Sequence, residues 1–165
     1  MGPLFSRLID IVLLRRGPQD LPAGRSVLLA CLTLYVLIAA LSLNIGRTPE
    51  NPTAVLVLAC ALPMVLVWIV LRLRDRISRW EQTLSALFGT SALLSLVTLP
   101  FNFDTGGEPA PPVIIISLLV FFWSFVVDAH IWRHALDASF AVGLALAMLL
   151  FVISFSIISS VAGPL

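Results

Sequence analysis

Long apolar runs alternate with short polar connectors along most of the chain. Predominantly apolar stretches occupy 26–45, 54–71, 82–100, 113–132 and 138–161. Each approaches the about 20 residues that a helix rising about 1.5 Å per residue needs to cross a hydrocarbon core. The pattern predicts five transmembrane helices. The second run is slightly short and the fifth slightly long, which predicts a straighter second helix and a tilted or interfacially extended fifth. The third run carries Thr83, Ser85, Gly89, Thr90, Ser91, Ser95 and Thr98. Its hydrophobic signal is the weakest, and the interior of the bundle is its natural place.

The segment ahead of the first run has a different period. Leu4, Phe5, Leu8, Ile9, Val12 and Leu13 share one arc of a helical wheel, with Ser6, Arg7 and Asp10 opposite and Leu14 off the pattern. This predicts a short amphipathic helix, ended by Gly17-Pro18 and followed by an irregular connector at Pro22. Asp10, Arg15, Arg16 and Gly17-Pro18 interrupt what a cleavable leader would need as a continuous apolar stretch, so no signal peptide is expected here. The helix either lies in the inner headgroup layer, with Arg15 and Arg16 near anionic lipid, or packs on the bundle; the two are compatible. The organisation expected is therefore a cytoplasmic segment over 1–22 and a five-span domain over 23–165, an all-α integral membrane protein.

Composition agrees with that class. Hydrophobic residues make up 59% of the 165 residues, charged residues 12%, and the mean hydropathy is +1.05, leaving too few polar groups to cover a water-exposed surface. A net charge of +1 and the lack of a basic stripe with interleaved aromatics exclude nucleic acid as a partner. All ten basic residues are arginine, which together with abundant Ala, Leu and Gly suggests a GC-rich bacterial genome and hence an inner-membrane location. Arg7, Arg15, Arg16 and Arg25 precede the first run, Arg72, Arg74, Arg76 and Arg79 follow the second, and Arg133 follows the fourth. Only Arg47 falls on the other side, whose 101–112 loop carries Asp104 and Glu108. The positive-inside rule then puts the N-terminus in the cytoplasm, and an odd span count puts the C-terminus on the periplasmic or extracellular side.

Candidate chemistry is sparse. Cys31 and Cys60 differ in depth by roughly 13 Å on the predicted spans, beyond disulfide reach, and read as packing residues. In the connector 72–81, Arg72, Asp75, Arg76 and Arg79 follow helical spacing and would share a face. The arginines either bind lipid phosphate, with Trp80 as an interfacial anchor, or simply hold the loop inside. Ser85 with Gly89, and Gly143 with Ala147, form small-xxx-small pairs that permit close helix approach within one chain or between chains.

The stretch from Asp128 to Asp137 is the one cluster with possible site chemistry. On a continuous helix His130, His134 and Asp137 would present three metal ligands. Yet a single helix over 113–161 would be roughly 73 Å long, so the chain must reverse there, although no Gly or Pro marks the turn. Arg133 among the ligands opposes a cation, and an Arg133–Asp137 pair is the expected arrangement. Asp128, about one turn inside the predicted end of the fourth span, is within reach of water or Arg72. Pro63 in the second span could free the carbonyl of Ala59, as in transporters, or merely bend the helix. No further carboxylate or cation lies at mid-depth. No catalytic constellation and no cofactor motif is present.

Five spans after a cytoplasmic N-terminus, and a final hairpin running from Trp123-Ser124-Phe125-Val126-Val127-Asp128-Ala129-His130 through Ile131-Trp132-Arg133-His134-Ala135-Leu136 into the last helix, resemble bacterial members of the Yip (Ypt-interacting protein) family. Eukaryotic relatives carry a longer N-terminal region with a Gly-Pro-containing motif and are associated with Rab-type GTPases. Gly17-Pro18 lacks the surroundings of that motif, so GTPase binding does not carry over. The resemblance implies a non-enzymatic scaffold or partner-binding subunit, touching membrane lipids and a membrane-protein partner or a second copy of itself. The alternatives are a small transporter or channel subunit built on Asp128 and a Pro63-kinked helix, and a metal-dependent membrane enzyme.

Overall fold

The computed structural model describes residues 2–45, 49–101 and 110–162. It is helical throughout its regular structure, with α1 at Gly2–Val12, α2 at Arg25–Ile45, α3 at Pro52–Leu73, α4 at Trp80–Thr98, α5 at Pro111–Leu136 and α6 at Phe140–Ala162. The last five are long and apolar enough to cross a membrane. They coincide with the five apolar runs; α5 extends furthest beyond its run, keeping the histidine segment helical to Leu136. Arg47, Asp104, Glu108 and Leu165 lie outside the described residues.

α4 is the centre of the bundle. Thr83, Leu84, Ser85, Ala86, Phe88, Gly89, Thr90 and Ala92 are all buried, and α4 packs against α1, α2, α3 and α5, while α6 packs on α5 and α3. Polar residues can occupy this position because Thr83, Ser85 and Thr90 donate to the carbonyls of Arg79, Glu81 and Ala86 at 2.8, 2.6 and 2.8 Å. Bonding back to the preceding turn satisfies a hydroxyl without a cross-helix partner. The outward faces of the other spans are apolar: Leu37, Leu119 and Phe122 are each more than 60% exposed, as suits contact with lipid chains.

Close approaches occur within the chain. A Cβ on Gly143 would run into the Ala129 carbonyl oxygen, so α6 crosses directly over the α5 backbone. A Cβ on Gly89 would meet Leu8 Cδ2 at 2.5 Å and the Cys31 sulfur at 3.3 Å, which seats α1 and α2 on α4. Cys31 is buried as a packing residue, and both cysteines are free.

The apolar arc of α1 divides. Leu8 is buried against the bundle together with Ile11, which the arc did not include, whereas Phe5, Ile9 and Leu13 are exposed. The helix ends at Val12, earlier than Gly17-Pro18. Leu14 takes a left-handed φ of 60°, and this turns it back onto the core despite its place off the helical pattern. The indole nitrogen of Trp123 donates to the Val12 carbonyl at 3.0 Å, and the Gln82 amide donates to the Leu21 carbonyl at 3.0 Å, tying the N-terminal segment to α5 and α4.

Candidate functional site

Two polar regions stand out, one at the arginine-rich end and one inside the bundle. At the first, the connector between α3 and α4 is not the single helical face expected from its spacing. Asp75 has φ 53°, and a short 3-10 turn covers Ile77–Arg79, so Arg72, Asp75, Arg76 and Arg79 do not lie on one continuous helical face. Arg79 reaches the α5–α6 turn. Its guanidinium donates to Asp137 Oδ1 and Oδ2 at 3.0 and 2.9 Å and to the carbonyls of His134 and Ala135 at 2.8 and 3.1 Å. A cation on the last carbonyls of a helix satisfies groups without intrahelical partners and complements the helix dipole. Arg76 also pairs with Asp137. The hydrogen bond from Arg79, with both charges adding to it, holds the Asp137 carboxyl below its usual range.

The expected Arg133–Asp137 pair is therefore not formed, and Arg133 is exposed. Asp137 itself makes the reversal, as the left-handed cap of α5 with φ 51° and ψ 45°; an Asp tolerates that conformation better than most residues, which is why the turn needs no Gly. His130 Nε2 lies 2.9 Å from the Arg16 carbonyl oxygen, so Nε2 carries the proton and donates. The rings of His130 and His134 meet edge to face at 4.7 Å, but Asp137 is drawn away by the two arginines. Among the described residues no three ligands converge. Arg16 pairs with Asp10 at 3.2 Å, while Arg15, Arg72 and Arg74 are exposed. The indole nitrogen of Trp80 donates to the Met64 carbonyl at 3.3 Å.

The second region is a cavity of about 190 Å³ at mid-bundle, to which all five spans contribute. Tyr35 comes from α2, Pro63 and Val67 from α3, Phe88 and Ser91 from α4, Asp128 and Trp132 from α5, and Phe151 and Ser154 from α6. Because α5 continues to Leu136, Asp128 lies about 12 Å from the end of its helix rather than one turn. Arg72 does not reach it: among the described residues Asp128 has no ion pair or hydrogen bond. The same is true of the side-chain hydroxyls of Tyr35, Ser91 and Ser154. Pro63, with no N–H to offer Ala59, sits on the same wall.

A second cavity of about 340 Å³ shares Tyr35 and Ser91 with the first and continues away from the arginine-rich end along Ser95, Thr98, Ser117 and Ser124. These groups are hydroxyls; among the described residues no carboxylate or cation other than Asp128 lines either cavity. Ser91, Ser95 and Thr98 follow the i, i+4, i+7 spacing of one helix face, and Ser117 and Ser124 are also seven apart. That periodicity is readable in the sequence; that the two faces meet, and meet Tyr35, is not.

No family model matches the chain, and no curated protein and no solved structure matches it significantly. The class that fold and site define is a small all-α, multi-pass membrane protein whose five apolar spans together line a largely apolar cavity holding one carboxylate and three hydroxyls.

Proposed function

We propose that the chain is a non-enzymatic membrane protein that binds a small solute inside its bundle, as a transporter or channel subunit. The observation that carries this reading is the unpartnered carboxylate of Asp128 on a cavity that all five spans line and that a hydroxyl-rich passage extends. A carboxylate at such depth is costly and is retained where it meets water or a ligand, and a proline opposite it suits helix distortion at a binding site. The arginine bias supports an N-terminus in the cytoplasm and a passage opening to the other side, and the all-arginine composition supports a bacterial inner membrane.

The test is accessibility. In a Cys31→Ala, Cys60→Ala background, Ser91→Cys and Ser95→Cys are exposed to a membrane-impermeant thiol reagent added outside intact cells. Both thiols should react, whereas Leu119→Cys on the lipid-facing surface should not. Failure of Ser91→Cys and Ser95→Cys to react would make the cavity a sealed packing feature.

A second reading, a scaffold or partner-binding subunit of the Yip type, is favoured by Arg15, Arg72, Arg74 and Arg133. All four are exposed at one end without a side-chain partner among the described residues, available to anionic lipid or an acidic partner protein. Co-purification of one stoichiometric protein in mild detergent, lost when these arginines are changed to Gln, would support it.

A further inference from the structure

We propose that the cavity around Asp128 is a site for a small organic monovalent cation with an apolar body. This rests on the cavity being a binding site and names what it binds. The cavity of about 190 Å³ is more than ten times the roughly 10–15 Å³ that one water requires, so a molecule larger than water fits. Asp128 supplies one negative charge, and no described residue supplies the balancing positive one. Inside a low-dielectric bundle an unbalanced charge is unfavourable; a proton or a ligand of charge +1 removes the imbalance, whereas an anion or a neutral molecule does not, and of the two only the ligand also fills the cavity.

The rest of the lining selects the kind of cation. Tyr35, Phe88, Trp132 and Phe151 bring four aromatic rings to the same space, with Tyr35 and Phe88 at 5.2 Å between centroids. Aromatic faces attract diffuse, weakly hydrated charges such as alkylammonium groups. A bare inorganic cation needs a shell of oxygen ligands, and beside Asp128 the cavity offers only the hydroxyls of Tyr35, Ser91 and Ser154 among otherwise apolar walls. Those hydroxyls are also the ones with free hydrogen-bonding capacity, in contrast to Thr83, Ser85 and Thr90, which are committed to their own helix. Ser95, Thr98 and Ser117 continue the polar lining towards the end of the bundle opposite the arginines, so an incoming cation does not meet those charges.

The test is calorimetric titration of the protein in lipid nanodiscs with benzyltrimethylammonium, whose charge is independent of pH. Saturable binding of one cation per chain is expected. Asp128→Asn should weaken it by roughly tenfold or more, the scale seen when a desolvated charge pair loses one member. Neopentylbenzene, the uncharged carbon isostere, should not displace the cation, and neither should equimolar sodium. Ser91→Phe, which fills the junction of the two cavities and keeps the carboxylate, should also abolish binding, and it serves if Asp128→Asn does not fold. Absence of saturable binding, unchanged affinity in a folded Asp128→Asn variant, or equal displacement by the neutral isostere overturns the proposal. If the thiols at 91 and 95 react while the cation does not bind, only the ligand class is wrong; if they do not react, the binding reading goes as well.

Discussion

Asp137 performs three tasks with one side chain and one backbone conformation. It ends α5, starts the return into α6, and receives Arg76 and Arg79 from the connector between α3 and α4. Its carboxyl is lower in the folded protein than in an unfolded chain, so its contribution to stability is present above the unfolded value of about 3.9 and is lost as pH falls through the folded value. The melting temperature of Asp137→Asn should therefore lie below that of the parent at neutral pH, with the gap closing in acid below about pH 4. A gap unchanged at pH 3 would show that the charge of Asp137 does not carry the effect, since Asn also adopts the left-handed cap readily. Arg79→Ala should cost more, about 1–3 kcal/mol, because the carbonyls of His134 and Ala135 lose their donor as well. Thermal unfolding in detergent compares the two.

At the scale of elements, two glycines allow close packing with different tolerances. A methyl group at 143 meets the fixed backbone of α5, whereas a methyl group at 89 meets the free end of the Leu8 side chain. Gly143→Ala should destabilise the α5–α6 hairpin by about 1–3 kcal/mol, and Gly89→Ala should be milder, loosening the seat of α1 and, through Cys31, that of α2. Limited proteolysis between α1 and α2, together with the melting temperature, separates the outcomes; equal losses from both would show that Leu8 has no room to turn. Within α1, Leu8→Ala should cost about 2–5 kcal/mol as a buried truncation, while exposed Phe5→Ala should leave thermal stability unchanged and weaken only contact with the lipid interface.

For the molecule as a whole, the arginine distribution decides which end faces the cytoplasm. A reporter active only outside the cytoplasm should work when fused at Leu165 or within 101–112, and a cytoplasmic reporter should work at the N-terminus. Cytoplasmic activity at Leu165 would require an even number of crossings. α4 is the helix on which that count turns, since its hydropathy is 1.7 against 2.2 or more for the other four. Its burial explains the difference: α4 is the most buried of the five spans, while the others keep most of their residues on the outside of the bundle. A helix surrounded by protein need not match the lipid.

Helix number, span positions and the amphipathic N-terminus were legible in the sequence because each depends on local periodicity and on the length needed to cross a bilayer. The carboxylate at Asp128 was legible as an anomaly for the same reason, a charge within an apolar run. Partners were not. Arg79 rather than Arg133 reaches Asp137 because α4 begins beside the α5–α6 turn, fifty-eight positions away in the chain. Leu14 is drawn into the core by a left-handed turn that no helical wheel contains. Ser91, Ser95 and Thr98 read only as a weakening of the third span until helix packing set them against Ser117, Ser124 and Tyr35. Local sequence determines which faces each helix carries, and only the crossing of helices in three dimensions decides which faces meet; here that meeting turns scattered hydroxyls and one acid into a lined cavity.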